Sequence, residues 1–462
     1  MRLAIIGAGP GGYVAALKAA QLGASVTVIE GYEVGGTCLN WGCIPTKTLL
    51  ASAEILHKAR NLAEFGIDTS GQVSPNLSKM MERKNKVVAT QVKGIRSLFK
   101  MWGINLIEGR GELCNPKKVE ILKKDGSTET IETDKIIIAT GSSPAHLPLF
   151  PFDNEFILSS DDALTIQSIP QSLIIIGAGV VGCEFACLFR ELGTEITMIE
   201  MMPRAISTED HEISDILERE LKKKKIRLLT SAKVEKAERE NDRMRVYLEG
   251  GREVSGEKVL VSVGRGYNAE GLGLETMGVI RGPRGEIVVN NKLETNVNGV
   301  YAVGDVTGGM LLAHKASKEG IVAAYNACGI QKSIDYSIIP AGIFTSPEIG
   351  SVGLREHQAL AKGIAIRTGH SQFRWLGKAH ALGEITGMFK IVADATTDRV
   401  LGMHIIGPHA ADLVHEGALA MKAQLTVREV ADMIHAHPTL SEGIMEACED
   451  VHGEAIHAPR NS

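Results

Sequence analysis

Residues 5–30, IIGAGPGGYVAALKAAQLGASVTVIE, begin with an apolar run that stops among three glycines, Gly7, Gly9 and Gly12. Apolar positions then recur at helical spacing as far as Leu22-Gly23, and a second apolar run closes on Glu30. The pattern predicts strand, glycine turn, amphipathic helix and strand. It returns in residues 175–200, IIGAGVVGCEFACLFRELGTEITMIE, at a constant offset of 170 without a gap. There the glycines are Gly177, Gly179 and Gly182, and the closing acid is Glu200.

A lone G-x-G-x-x-G says little, because glycine turns are common. Here the whole βαβ context occurs twice, each time with an acid 18 residues after the last glycine, as in a dinucleotide-binding fingerprint. The first glycine permits the tight turn, and the second lets backbone approach a pyrophosphate at the helix N-terminus. The acid accepts hydrogen bonds from ribose hydroxyls. Two bound dinucleotides are expected. A carboxylate at Glu200 would repel a 2′-phosphate and so favours NAD over NADP, although Arg204 nearby leaves NADP open.

The apolar run in DKIIIATGSSP (134–144) predicts a strand leading into Thr140-Gly141, and VNGVYAVGDVTGG (297–309) predicts a return to the same sheet. Asp305, after that second strand, is placed to bond a polyol; alone it would read as a turn-capping residue. From about residue 336 the pattern changes to strand-like FKIVAD and VLGMHIIG and helical ADLVHEGALAMKAQ and TVREVADMI, with no phosphate-binding turn. The expected fold is α/β, with two Rossmann-like domains, the second inserted in the first, and a C-terminal α+β domain. The expected boundaries are 1–145 with 269–335, then 146–268, then 336–462.

Composition narrows the function. The 462 residues are 44% apolar and 23% charged, and carry a net charge of −5. That gives no basic footprint for nucleic acid. The lysines at 222–225 read as the solvated end of a charged helix. No apolar stretch approaches the roughly 20 residues of a membrane helix, and the chain enters its first strand without a secretory pattern. Fifty glycines fit many tight turns. Seven irregularly spaced cysteines do not make a disulfide scaffold. A reducing compartment is expected: the cytoplasm, or an organelle matrix if a transit peptide has been removed.

Two of those cysteines, Cys38 and Cys43, lie in GGTCLNWGCIPTK (35–47). A zinc half-site, two inert thiols and a redox dithiol are the available readings. Zinc would need two more ligands, whereas Cys114 stands alone and His57 has no partner at ligand spacing. On a regular helix, residues five apart are about 8–9 Å apart, too far for a disulfide. The segment must therefore break near LNWG, where Gly42 allows unusual dihedrals and Pro45 favours an early helix position. A helix start there would lower a thiol pKa. The redox dithiol accounts for all of this.

GGTCLNWGCIPTK, the two nucleotide units and GVYAVGDV together resemble the pyridine nucleotide–disulfide oxidoreductase family along nearly the whole chain. Near the far end, HAHPTLSE (435–442) matches the family's His–Glu motif. Read alone, His437 is a surface histidine and Thr439-x-x-Glu442 a capping box; His435 with His437 would be a weak metal motif. The resemblance makes His437 a general base oriented by Glu442, beside Cys38 for thiol interchange and Cys43 facing the flavin. It implies FAD at Gly7, Gly9, Gly12, Glu30, Lys47, Thr140, Gly141, Asp305 and Ala313. NAD is implied at Gly177, Gly179, Gly182, Glu184, Glu200 and Gly264, with Lys47 and Glu184 pairing near the flavin. No metal is expected.

Within the family the resemblance is to members that oxidise protein-bound dihydrolipoyl groups with NAD. It implies an obligate homodimer, and a partner that is a lipoyl-bearing protein or the acyltransferase core of a 2-oxo acid dehydrogenase or glycine-cleavage complex. Glutathione reductases carry PKK where this chain reads PTK. Mercuric reductases end in an extra redox pair, against a single Cys448 here. A docking subunit without chemistry would not need all four of Cys38, Cys43, His437 and Glu442. The chain departs from the family at GRGYN (264–268), which lacks the usual proline, and a loosened turn is expected there.

Overall fold

A computed structural model describes residues 1–459. Contacts divide it into two compact units: Met1–Leu147 with Ser159–Ser168 and Gly264–Asp335, and Pro148–Leu158 with Ile169–Val263 and the chain from Tyr336 onward.

The first unit is built on a seven-stranded sheet. Strand Arg2–Ile6 pairs in parallel with Ser25–Glu30 on one side and Lys135–Ile138 on the other. Val300–Ala302 extends one edge in parallel, and Asn105–Asn115 continues the other. Antiparallel Lys118–Lys123 and Thr128–Glu132 complete it. The central strands are mostly apolar because both faces are covered. Helix Pro10–Gln21 packs on helix Ala313–Ala327 through small residues. A Cβ at Gly320 would lie 2.3 Å from the Gly11 carbonyl oxygen, so this approach requires glycine.

In the second unit, the parallel strands Ser172–Ile176, Glu195–Ile199, Arg227–Leu229, Lys258–Val261 and Ile157–Leu158 form one sheet. Strands Val234–Glu240, Arg243–Leu248 and Arg252–Gly256 form an antiparallel one. The C-terminal sheet is antiparallel throughout, in the order Ala341–Ile343, Ile349–Gly353, Val400–Ile406, Met388–Asp394, Ile366–Gln372. Helices Ala410–Ala423 and Val427–Ala431 lie where the helical spacing predicts them. Lys390, 1% exposed, ties this sheet to the inserted segment. It donates to Asp210 at 3.0 Å and to Glu212 and Glu356 at 2.5 Å. Burial alone would lower its pKa, but the three carboxylates outweigh it and hold the lysine charged.

At GRGYN the structure departs from expectation. Arg265–Tyr267 is not a loosened turn but a strand, paired antiparallel with Ser142–Pro144. Among the described residues no helix is long and apolar enough to cross a membrane.

Candidate active site

Each fingerprint forms its glycine turn in the same way. Gly7 has φ +104° and Gly177 φ +100°, and a Cβ at either would strike a backbone carbonyl, Ala139 at 2.3 Å or Ser262 at 2.5 Å. At Gly12 and Gly182 a Cβ would lie 1.9 and 2.0 Å from the carbonyl oxygen of Gly7 and Gly177, so the helix can sit directly on the turn. The middle glycines differ. Gly9 and Gly179 have ordinary φ of −70° and −74°. A side chain would meet nothing closer than 3.8 Å at Gly9 and nothing within 4 Å at Gly179. Their lack of a side chain leaves room in front of a helix N-terminus, and that fits a pyrophosphate.

The acids hold these turns in matching fashion. Glu30 accepts the amides of Ala8 at 2.6 Å and Tyr32 at 2.7 Å. Glu200 accepts those of Ala178 and Met202, both at 2.7 Å. Burial pushes the Glu30 carboxyl up, against the pull of the Tyr32 and Ala8 amides.

In the first unit, Thr140 donates to the Asn268 carbonyl at 2.6 Å. Gly141, at φ +70°, turns the chain towards Ser142. The Ser142 hydroxyl donates to Asp305 Oδ2 at 2.5 Å and accepts from Arg265 Nε at 2.7 Å. Ala313 opens helix Ala313–Ala327, a second helix start in this unit.

The dithiol segment packs on the first turn. A Cβ at Gly36 would come within 2.6 Å of Gly9 Cα. A short helix, Gly36–Asn40, stops at Trp41, and Gly42 adopts φ −143°, ψ −113° before helix Cys43–Arg60 begins. This is the break that the spacing required. A Cβ at Gly42 would stand 3.0 Å from the Thr37 carbonyl oxygen, so glycine lets the second helix start against the first. Cys38 and Cys43 are thiols in hydrogen-bonding contact. The hydrogen bond to Cys43, then burial, then the charge of Cys43 raise the Cys38 pKa, and Lys47 opposes them. Cys43, first residue of its helix, faces the positive end of a helix dipole.

In the second unit, His437 Nδ1 is 2.9 Å from Glu442 Oε1, while Glu442 Oε2 accepts the Thr439 amide at 2.8 Å. Burial would raise the Glu442 pKa, but the Thr439 amide and His437 bring it below the usual range. The histidine side chain is 74% exposed. Only half of the capping box forms: Glu442 accepts the Thr439 amide, while the Thr439 hydroxyl donates to the Ala436 carbonyl, and Ser441, the residue at the N-cap of helix Glu442–Asp450, makes no side-chain capping bond. His435 is buried against Glu416 at 2.9 Å, and the described residues contain no cluster able to hold a metal. Glu184, 3% exposed on helix Val180–Leu192, accepts the Phe344 amide at 3.0 Å. Gly264 has φ +122° with open space at its Cβ position.

Residues 1–320 match the model of the pyridine nucleotide-disulphide oxidoreductase family, and residues 339–448 match that family's dimerisation domain. The chain belongs to this family. A dihydrolipoyl dehydrogenase of Bacillus subtilis is 42% identical over 98% of both chains. The crystal structure of LpdA from Mycobacterium tuberculosis has a TM-score of 0.91 at 31% identity, covering 97% of this chain and 99% of that one. A flavoprotein disulfide reductase of Escherichia coli, RclA, has a TM-score of 0.87 at 25% identity over the same shares.

Sequence reasoning missed the buried polar contacts around these sites. Lys315 and Glu319 form a buried ion pair on helix Ala313–Ala327. A Lys and a Glu four residues apart ordinarily mark an exposed helix face, so nothing in the sequence flagged them.

Proposed function

We propose that this chain acts as a dihydrolipoyl dehydrogenase, oxidising protein-bound dihydrolipoyl groups to lipoamide and reducing NAD+ to NADH. The observation that carries the reading is the contact of the Cys38 and Cys43 thiols at a helix start packed on the first glycine turn. FAD belongs to the first cradle, with Gly7, Gly9, Gly12, Glu30, Thr140, Gly141, Asp305 and Ala313. NAD belongs to the second, with Gly177, Gly179, Gly182, Glu200 and Gly264. Lys47, on the helix that opens at Cys43, is assigned to the reactive edge of the flavin, and Glu184 to the NAD cradle. The flavin supplies two-electron transfer between the dithiol and the nicotinamide.

With the cysteines as a disulfide, His437 Nε2 takes a proton from the first substrate thiol while Glu442 holds Nδ1. The thiolate attacks Cys38 Sγ; a substrate–Cys38 bond forms, the Cys38–Cys43 bond breaks, and Cys43 leaves as a thiolate. The second substrate thiol attacks the sulfur bound to Cys38, closing the lipoamide ring. Cys38 is released and takes up that thiol's proton. The site then holds Cys38 as thiol, Cys43 as thiolate and one proton on His437.

The exposure of His437 suits a base that serves the dithiol of a second subunit, in keeping with the dimerisation domain. NAD is preferred over NADP because Glu200 is fixed by two backbone amides and Arg204 is bonded to Asp215. The lipoyl group comes from a partner of a 2-oxo acid dehydrogenase or glycine-cleavage complex, in the cytoplasm or an organelle matrix. Burial pushes the Cys448 thiol up.

Steady-state assays with dihydrolipoamide and with glutathione disulfide, each with NAD and NADP cofactors, test the reading. Dihydrolipoamide with NAD+ is expected to give the highest kcat/KM. Faster reduction of glutathione disulfide by NADPH would overturn it.

A further inference from the structure

Lys315 and Glu319 take no part in the chemistry above. Their side chains are 5% and 0% exposed, with Nζ 3.0 Å from Oε1. Glu319 Oε2 accepts the Gly304 amide at 2.7 Å, and Lys315 Nζ donates to the Gly308 carbonyl at 2.9 Å. Gly304 and Gly308 bracket the single 3-10 turn, Gly304–Thr307, that carries Asp305. Both are left-handed, with φ of +79° and +75°. A turn bounded by such glycines loses more freedom on ordering than any other backbone, and here each end is pinned by one member of the pair.

Stability alone does not account for the pair. Removing two charges from water costs more than their attraction commonly returns, and an apolar pair of the same volume often serves stability as well or better. Holding a turn in one conformation is a separate service, and it lowers the ordering cost of binding a ligand.

We propose that Lys315 and Glu319 are positioning residues for the flavin nucleotide. Their ion pair locks the Gly304–Gly308 turn, so that Asp305, held through Oδ2 by Ser142, is set in place before the polyol arrives. The inference rests on the assignment of Asp305 to FAD.

The variant K315M/E319Q preserves side-chain volume and leaves an acceptor for the Gly304 amide, but removes both charges and the Gly308 tether. FAD release from diluted holoenzyme is followed by the rise in free-flavin fluorescence. Release about tenfold faster than wild type is expected, from loss of buried charged hydrogen bonds; an acceleration below about threefold overturns the inference. The second readout separates positioning from general destabilisation. D305A also speeds release, and in that background neutralising the pair adds less than about twofold, because the two act through one turn. Full multiplication of the two effects would overturn the inference. If that double variant fails to fold, K315Q/E319Q, which keeps polar groups facing both glycines and leaves no unpaired buried charge, carries the same test with the same thresholds. Wild-type protein that holds no FAD would overturn the proposed function instead.

Discussion

In the first cradle, the helix that follows the glycines is covered by a second helix, with Gly11 and Gly320 in backbone contact, and Glu30 is 8% exposed. In the second cradle the corresponding helix start carries Val180 and Val181, 37% and 39% exposed, and Glu200 is only half-buried. The glycine turns and the two amide bonds to the acid are otherwise matched. The difference teaches that the two glycine turns are alike and that the cradles diverge in what covers the helix behind the turn. A roofed cradle suits a resident cofactor such as FAD. An open one suits NAD, which must leave after every turnover.

The sharpest way to break this comparison is to place the same lesion in both copies. Gly12→Ala puts a methyl 1.9 Å from the Gly7 carbonyl oxygen, and Gly182→Ala puts one 2.0 Å from that of Gly177. G12A is expected to yield colourless protein without activity. G182A should stay yellow while its KM for NAD+ rises by about 10²-fold, the scale of a misplaced binding element. Flavin absorbance and NAD+ kinetics check both, and loss of colour in G182A alone would reverse the assignment.

His437→Gln should lower turnover with dihydrolipoamide by about 10²–10⁴-fold. Transfer from NADH to an artificial acceptor should be unchanged, because neither cradle is touched. Next in size, Glu200→Gln should raise kcat/KM for NADP+ roughly tenfold by removing a like charge. Glu30→Gln should leave the NAD/NADP ratio where it was, although it weakens the flavin site.

The smallest effect concerns pH. Burial, assisted by Arg355, lowers the His404 pKa from 6.5 to about 4. The unfolded chain therefore binds a proton that the folded chain refuses, so this contribution is complete above about pH 6.5 and is lost as the pH falls towards 4. Its upper limit is about 3 kcal/mol. His404→Gln should make the acid limb of a stability–pH curve shallower, as followed by denaturant unfolding between pH 4 and 7. An unchanged slope would remove His404 from that limb.

Both cradles were legible in the sequence because their chemistry is local: a glycine turn, a helix start and an acid all fall within one βαβ unit. The dithiol was legible for the same reason. A five-residue separation that no regular helix can close forced a break, and the break lies at Trp41–Gly42. Pairs made across the fold left no such mark. Lys390 reads as an ordinary charge in a strand, yet carboxylates from distant segments gather around it. Lys315 and Glu319 are local partners, four residues apart, but their burial and their bonds to Gly308 and Gly304 are set by packing that the helical spacing does not reveal. His435 resembled half of a metal motif because its partner, Glu416, lies far back in the chain on helix Ala410–Ala423. At GRGYN the pairing partner, Ser142–Pro144, lies more than 120 residues back in the chain, so the strand left no mark in the local sequence.

The account stands on electrons leaving a substrate dithiol through Cys38 and Cys43, with Cys43 as the thiolate next to the flavin. Anaerobic reduction of purified holoenzyme by one equivalent of dihydrolipoamide, watched by absorbance beyond the main flavin bands, tests this most directly. A long-wavelength thiolate–flavin band is predicted in wild type and its absence in Cys43→Ser. The same band in Cys43→Ser, or none in wild type, would contradict the account.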